Sequence, residues 1–252
     1  MNEAQVFRLT IAYDGTQFHG WQRQPEMRTV QGELERALRE VLAQEVVTLN
    51  GAGRTDTGVH ARGQVASFRA VTALPAHAFP PLLQRTLPRD IRVMDAAACP
   101  DHFHARHSAR GRRYTYRLLA AHDVLYERFA WYPQREVSET ALRAAVSVLP
   151  GDHDYSAFQA KGSSEVDPRC RVDLAAVSRW PGGLQFDVQA DHFLYHMVRN
   201  LIGTALFAAR KRDPAAHMAG VLGSRDRARA AGTAPPHGLC LEQVFYEEDL
   251  AS

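Results

Sequence analysis

The period of the hydrophobic pattern changes twice in the first fifty residues, and this restricts the fold more than any other feature of the chain. Phe7, Leu9, Ile11 and Tyr13 alternate with less apolar neighbours up to the turn signal Asp14-Gly15, the period of a strand buried on one face. After Thr29, which is suited to cap a helix, Val30, Leu34, Leu38, Val41 and Leu42 fall on one side of a helix instead. Val46 to Leu49 then reads as a second strand. A glycine-rich loop follows, with Gln64 to Phe68 as a third strand, Pro75 to Leu87 as a short helix and Ile91 to Ala97 as a fourth strand. The order is βαββαβ, the split βαβ or ferredoxin-like pattern.

The remainder of the chain reads the same way. Arg113 to Leu119 is expected as a strand, Ser138 to Leu149 as a helix with Leu142, Ala145, Val146 and Leu149 on one side, and Val172 to Trp180 and Leu184 to Gln189 as strands. A long helix is expected from Phe193 to Arg212, its cationic end suited to the negative helix terminus. Asp213-Pro214 starts another helix, and Leu241 to Tyr246 closes the pattern as a strand. The expected fold class is therefore α+β: two ferredoxin-like βαββαβ halves with antiparallel sheets and helices packed on them. Residues 1–105 form the N-terminal half and 106–252 the C-terminal half. Leu119 to Pro133 and Gln159 to Pro168 read as linker-like stretches, the KGSSEVDP composition of the second suiting a mobile loop.

Hydrophobic residues make up 45% of the 252 and charged residues 23%, enough apolar material for a core and no signature of general disorder. No basic region followed by an apolar run opens the chain, and no stretch is apolar for the ~18 residues a membrane span needs, so the cytoplasm is expected. Cys99, Cys170 and Cys240 are odd in number and far apart, which suits reduced thiols. A net charge of +2 does not by itself suggest nucleic acid. Its distribution says more, because Arg106, Arg110, Arg112, Arg113 and Arg117 lie between Asp101 and Ala120 with only that one acid among them. Such a stripe fits either phosphate contact or a solvated face.

The densest signal is Gly51-Ala52-Gly53-Arg54-Thr55-Asp56-Thr57-Gly58-Val59-His60. Three glycines in eight residues permit unusual φ angles and close backbone approach, as a loop beneath a bulky substrate requires. Arg54, two residues from Asp56, is placed to hold that carboxylate ionised and pointing in one direction. A plain surface turn is the competing reading. A phosphate loop fails in detail, since G-K-[ST] is absent and glycines at 51, 53 and 58 do not fit G-x-G-x-x-G.

GAGRTDTGVHARGQVASF resembles the signature of TruA-type tRNA pseudouridine synthases, in which the aspartate of the R-T-D-x-G-V-H motif is essential. Tyr13-Asp14-Gly15 through Gly20-Trp21-Gln22-Arg23-Gln24 is similar to that family's opening motif. Phe103-His104-Ala105-Arg106 with Ser108-Ala109 is similar to its central motif. Arg112-Arg113-Tyr114, Phe193, His196-Met197-Val198-Arg199-Asn200 and Ala234 to Leu241 also fit. Thr57, Pro236 and Cys240 depart from the commonest residues of these motifs without removing a chemical group.

The resemblance implies isomerisation of uridine to pseudouridine in the tRNA anticodon stem-loop, at positions 38 to 40, by a homodimer with Asp56 as catalytic residue. An isomerisation that keeps its leaving group needs only one carboxylate, whereas a glycosidase needs two because it must deliver water. The target base has to leave its stack, and a ring beneath it offsets part of that cost. Tyr114 is the candidate ring, an ordinary core tyrosine being its alternative. Arg199, mid-helix among apolar neighbours, requires a partner, for which Asp56 would serve, or reaches the surface. Arg54, His60 and Arg113 join Tyr114 and Arg199 as substrate-binding residues. Cys99, His102, His104 and His107, or His192 and His196, have spacings that zinc can use. The second set lacks the glutamate of H-E-x-x-H, and no metal or other cofactor is implied. The competing functional classes are a non-catalytic RNA-binding module, against which the strands lack the K/R-G-F-G-F pattern, and a small-molecule enzyme.

Overall fold

Alternation sets the first strand, β1 (Ala4–Tyr13), which buries Phe7, Leu9, Ile11 and Tyr13 and leaves Arg8, Thr10 and Ala12 half-buried. The computed structural model describes residues 3–162 and 167–247. Among them are nine strands and five α-helices, a mixed α and β fold in which the strand pairs of defined register run antiparallel. No described helix is long and apolar enough to cross a membrane. The chain divides into two compact units, Met1–Arg110 with Leu241–Ser252, and Gly111–Cys240.

In the first unit, α1 (Val30–Leu42) begins where the Thr29 hydroxyl accepts the Gly32 N–H and ends at Ala43 in the left-handed region. It buries Val30, Leu34, Ala37 and Leu38. There follow β2 (Asn50–Gly51), β3 (His60–Val71), α2 (Phe79–Leu83) and β4 (Ile91–Cys99), with the closing strand β9 (Leu239–Phe245) beside β3. The strand order is β4-β1-β3-β9, and β2 also pairs with β3. Phe7, Phe68 and Phe79 pack ring against ring at centroid distances of 4.9–5.4 Å, joining α2 to the sheet. Thus the closing segment of the chain completes the first unit. The Tyr246 hydroxyl donates to the Ala105 carbonyl, and the Arg110 N–H to the Phe245 carbonyl.

Val46 to Leu49 does not form the strand expected of it. Its backbone is satisfied by α1 rather than by a ladder: the buried Glu35 carboxylate accepts the Leu49 N–H at 3.3 Å, and Gln31 Nε2 donates to the Leu49 carbonyl at 3.0 Å. Val47 and Leu49 are buried and Val46 is exposed. The Pro75 to Leu87 helix is shorter than expected. A 3-10 turn over Ala76–Ala78 precedes α2, with Pro80 and Pro81 in its first turns.

In the second unit, β5 (Gly111–Leu119), α3 (Glu139–Val146), β6 (Gly151–Asp154), β7 (Arg169–Trp180), β8 (Gly183–Ala190), α4 (Met197–Ala208) and α5 (Pro214–Ser224) follow in sequence. The sheet order is β5-β8-β7-β6. Asp213 caps α5 as expected, and Ser138 caps α3 by accepting the Ala141 N–H. The expected helix from Phe193 instead starts at Met197, because His196 takes a left-handed conformation (φ 58°), and it ends at Ala208. β6 has no counterpart in the sequence reading, for Gly-Asp-His-Asp carries no apolar alternation; its pairing with β7 makes it a strand. The expected Gln159–Pro168 loop falls in part on residues 163–166, outside the described residues.

Glu35→Ala leaves the Leu49 N–H and the Gln31 amide without their shared acceptor, and should destabilise the protein by about 1–3 kcal/mol. Glu35→Gln, which keeps an acceptor oxygen, should recover much of this. Urea unfolding of the two variants measures the difference.

Candidate active site

Asp56 lies between Gly51, which ends β2, and His60, which starts β3. Both ends of this loop are fixed to one strand, since Asn50 and Gly51 pair with Ser67 and Ala66 and the Ala52 N–H donates to the Val65 carbonyl at 2.7 Å. The amide of Gln64, fully buried, donates to the Gly53 carbonyl at 3.0 Å. The Asp56 carbonyl accepts the Val59 N–H at 3.1 Å. Gly58 within that turn has φ 79°, a conformation that favours glycine. Asp56 itself is half-buried between buried Thr55 and exposed Thr57.

The segment from Tyr13 to Trp21 holds the loop from the other side. The Trp21 N–H donates to the Thr55 carbonyl at 3.0 Å and the Gly58 N–H to the Phe18 carbonyl at 3.4 Å. Tyr13 Oη and Thr55 Oγ1 share a hydrogen bond of 2.7 Å, both residues being buried. The same segment caps α1, for the Val30 and Gln31 N–H groups donate to the Gly20 and Trp21 carbonyls. Glycine is required where backbones meet. A Cβ at Gly15 would stand 2.0 Å from the Val59 carbonyl oxygen, one at Gly20 (φ 81°) 2.6 Å from the Thr55 carbonyl oxygen, and one at Gly51 2.5 Å from the Trp21 indole. At Gly53 nothing lies within 4 Å, so its freedom is not needed for close approach.

The remaining first-unit residues are placed differently from one another. Arg54 is exposed, and no ion pair joins it to another described residue, so the expected Arg54–Asp56 pair is not formed within this set. His60 is 4% exposed, and its Nδ1 accepts the Gly15 N–H at 3.0 Å. That nitrogen therefore carries no proton, and its 3.3 Å approach to Asp14 is not a charged bridge. His60 fastens the Gly15 turn to the start of β3. In the central motif, His104 Nδ1 accepts the Arg106 N–H, while burial and neighbouring His107 push its imidazole pKa down. The Ala105 N–H donates to Ser67 Oγ. That last bond fastens Ala105 to β3.

The second unit holds Arg113, Tyr114 and Arg199. Register puts Tyr114 opposite Val188 and Arg113 opposite Gln189, so the two side chains leave β5 on opposite faces. Tyr114 is buried and meets Phe193 edge to face at 5.2 Å. Arg199, half-buried on α4, donates from Nε to the Ala234 carbonyl at 2.8 Å and accepts the Ala234 N–H on its own carbonyl. Next to it the Tyr116 hydroxyl donates to the Pro235 carbonyl at 2.8 Å. Burial pushes the Tyr116 phenol pKa far up despite the nearby Arg199 charge, which keeps it a neutral donor. Asn200, fully buried, completes the arrangement. It donates to the Phe158 carbonyl at 2.7 Å, and its Oδ1 accepts from Thr233 Oγ1 and Arg227 Nη2. The sequence motifs around 199–200 and 234–238 thus hold each other.

Tyr13, Thr55 and Trp21 lie within motifs of the sequence but are not among the site residues expected from it. The available signal was Tyr13 at the inward end of an alternating strand, where a buried hydroxyl needs a partner.

The model of the tRNA pseudouridine synthase family matches residues 9–108 and 145–247. Asp56 and Arg199 fall inside these stretches, and Arg113 and Tyr114 between them. A tRNA pseudouridine synthase A of Moorella thermoacetica is 40% identical over 243 residues, covering 95% of this chain and 98% of the relative. That of Halalkalibacterium halodurans is 40% identical over 235 residues, covering 92% and 89%. Among solved structures, the crystal structure of a Cbf5-Nop10-Gar1 complex is similar at a TM-score of 0.41 and 13% identity, over 98% of this chain and 60% of that one; at that level it adds nothing to the assignment. Family match and near full-length similarity together make this chain a member of the tRNA pseudouridine synthase family, a family of isomerases.

Proposed function

We propose that the protein converts uridine to pseudouridine at positions 38 to 40 of the tRNA anticodon stem-loop, with Asp56 as nucleophile and without a cofactor. In this isomerisation the bond from N1 to the sugar C1′ breaks and a bond from C5 to C1′ forms. C5 gives up its proton and N1 gains one, so atoms balance without water or an oxidant. The observation that carries the reading is Asp56 itself, a carboxylate at the turn of a loop held from two sides by backbone hydrogen bonds. A group fixed in this way meets the reacting atom without first being ordered.

Tyr114 is proposed to lie against the target base, its ring oriented by Phe193. Arg199 and Arg54 are proposed to bind the substrate, Arg199 from a guanidinium steadied by the Ala234 carbonyl. Arg113, facing away from Tyr114, is proposed as a contact to the RNA backbone. His60, being buried, is proposed to act on the substrate through the Gly15 turn that it holds. The same reading includes a homodimer acting in the cytoplasm on two ferredoxin-like halves, residues 1–105 and 106–252. Strand order β4-β1-β3-β2 in the first unit supports the ferredoxin-like scaffold, as does β5-β8-β7 with intervening helices in the second.

Incubated with unmodified tRNA transcripts in the absence of metal, the protein should place pseudouridine in the anticodon arm. Asp56→Asn should lose about 10³-fold or more in rate while still binding tRNA, as site mapping and filter binding would show; modification at an undiminished rate would remove Asp56 from the mechanism. Gly20→Ala forces a Cβ against the Thr55 carbonyl from a left-handed φ. It should cost about 1–2 kcal/mol in stability and, by displacing the loop, about tenfold or more in single-turnover rate.

A further inference from the structure

We infer that Tyr13 is a positioning residue for the reaction, its hydroxyl fixing the direction of Asp56 through Thr55. This rests on the reading of Asp56 as nucleophile. Thr55, the residue before Asp56, is held at two atoms: its carbonyl accepts the Trp21 N–H at 3.0 Å, and its Oγ1 is hydrogen-bonded to Tyr13 Oη at 2.7 Å. On the other side of Asp56, the aspartate's carbonyl accepts the Val59 N–H. The backbone around the carboxylate is thus pinned before and after it, and the Tyr13 contact sets the side-chain torsion of the preceding threonine.

The tyrosine is well supported in this task. It ends β1, pairs with Ala61 on β3 and with Ile91 on β4, and packs its ring near Trp21 at 6.2 Å. At 5% exposure it has no room to swing, and Thr55 at 6% is equally enclosed. Removing the Tyr13 hydroxyl leaves Thr55 Oγ1 to turn toward another polar group, and the residue next in sequence is Asp56 itself. A shift of the carboxylate of order 1 Å is enough to cost a reaction about 10²-fold. The ring alone would serve a purely structural role equally well, which makes the hydroxyl the discriminating atom.

The experiment compares Tyr13→Phe, Thr55→Val, Thr55→Ser and the double variant Tyr13→Phe/Thr55→Val with the wild type. Single-turnover pseudouridine formation, tRNA affinity and thermal midpoint are each measured on an unmodified tRNA transcript. Tyr13→Phe and Thr55→Val should each lower the rate about tenfold or more with affinity unchanged. The double variant should be no slower than the slower single one, because both single changes break the same Tyr13–Thr55 contact. Thr55→Ser, which keeps the hydroxyl, should stay within a few-fold of the wild type. The inference is overturned if Tyr13→Phe reacts at the wild-type rate, if the two losses multiply, or if the rate falls only as the folded fraction does. Should Tyr13→Phe fail to fold, Thr55→Val against Thr55→Ser reads the same contact from its other end. Asp56→Asn run alongside separates the two readings: an active Asp56→Asn removes the nucleophile whatever Tyr13 does, whereas an inactive one beside a fully active Tyr13→Phe removes only the positioning role.

Discussion

Close contact between two stretches of bare backbone, the Gly15–Trp21 segment and the loop from Gly51 to Val59, is the constraint on which the arrangement around Asp56 rests. Gly15 and Gly20 lie against the carbonyls of Val59 and Thr55 at distances that leave no space for a side chain. The segment uses its polar groups in two directions. Its N–H of Trp21 and carbonyl of Phe18 meet the loop, while its Gly20 and Trp21 carbonyls meet the first N–H groups of α1. Helix start and loop are therefore fastened to the same seven residues, and neither can move far without breaking hydrogen bonds of the other.

Around this contact, buried and half-buried polar side chains do work that strand ladders do elsewhere. Glu35 and Gln31 satisfy the backbone of Leu49, Gln64 that of Gly53, and Ser67 that of Ala105. In the second unit Asn200 and Arg199 do the same for the chain at Phe158 and Ala234. Each such group is expensive to bury unless its partner is in place, and so each permits essentially one local conformation. Irregular loops held in this manner are rigid despite having no secondary structure of their own. A carboxylate that must meet one atom of a bulky substrate benefits from that rigidity, since ordering it during the reaction would raise the barrier.

The two sets of proposed substrate residues are supported differently. Around Asp56 the support is backbone against backbone. Around Tyr114 and Arg199 it is side chain against backbone, with Tyr116, Arg199 and Asn200 gripping residues 233–235 and Phe193 meeting the tyrosine ring. Register separates Arg113 from Tyr114, although adjacency in the basic stripe had grouped them. A stripe along a strand is split between two faces by the pleat.

By itself the sequence determined the elements whose signals are local. Apolar patterning placed β1, β3, β4, β5, β7, β8 and β9, and caps at Thr29 and Asp213 placed the starts of α1 and α5, because a strand face and a helix cap are decided within a few residues. The motif around Asp56 was legible too, as a dense run of glycines beside a charge. Only the tertiary structure decided the rest. Val46 to Leu49 is not a strand because a carboxylate fourteen residues earlier takes its N–H. Gly15 and Gly20 are needed because of carbonyls some forty residues away, while Gly53, in the midst of the motif, has open space. Tyr13 reads as one more inward-facing aromatic until Thr55 is brought against its hydroxyl. In each case the deciding partner is distant in sequence, and no pattern within a window of residues contains it.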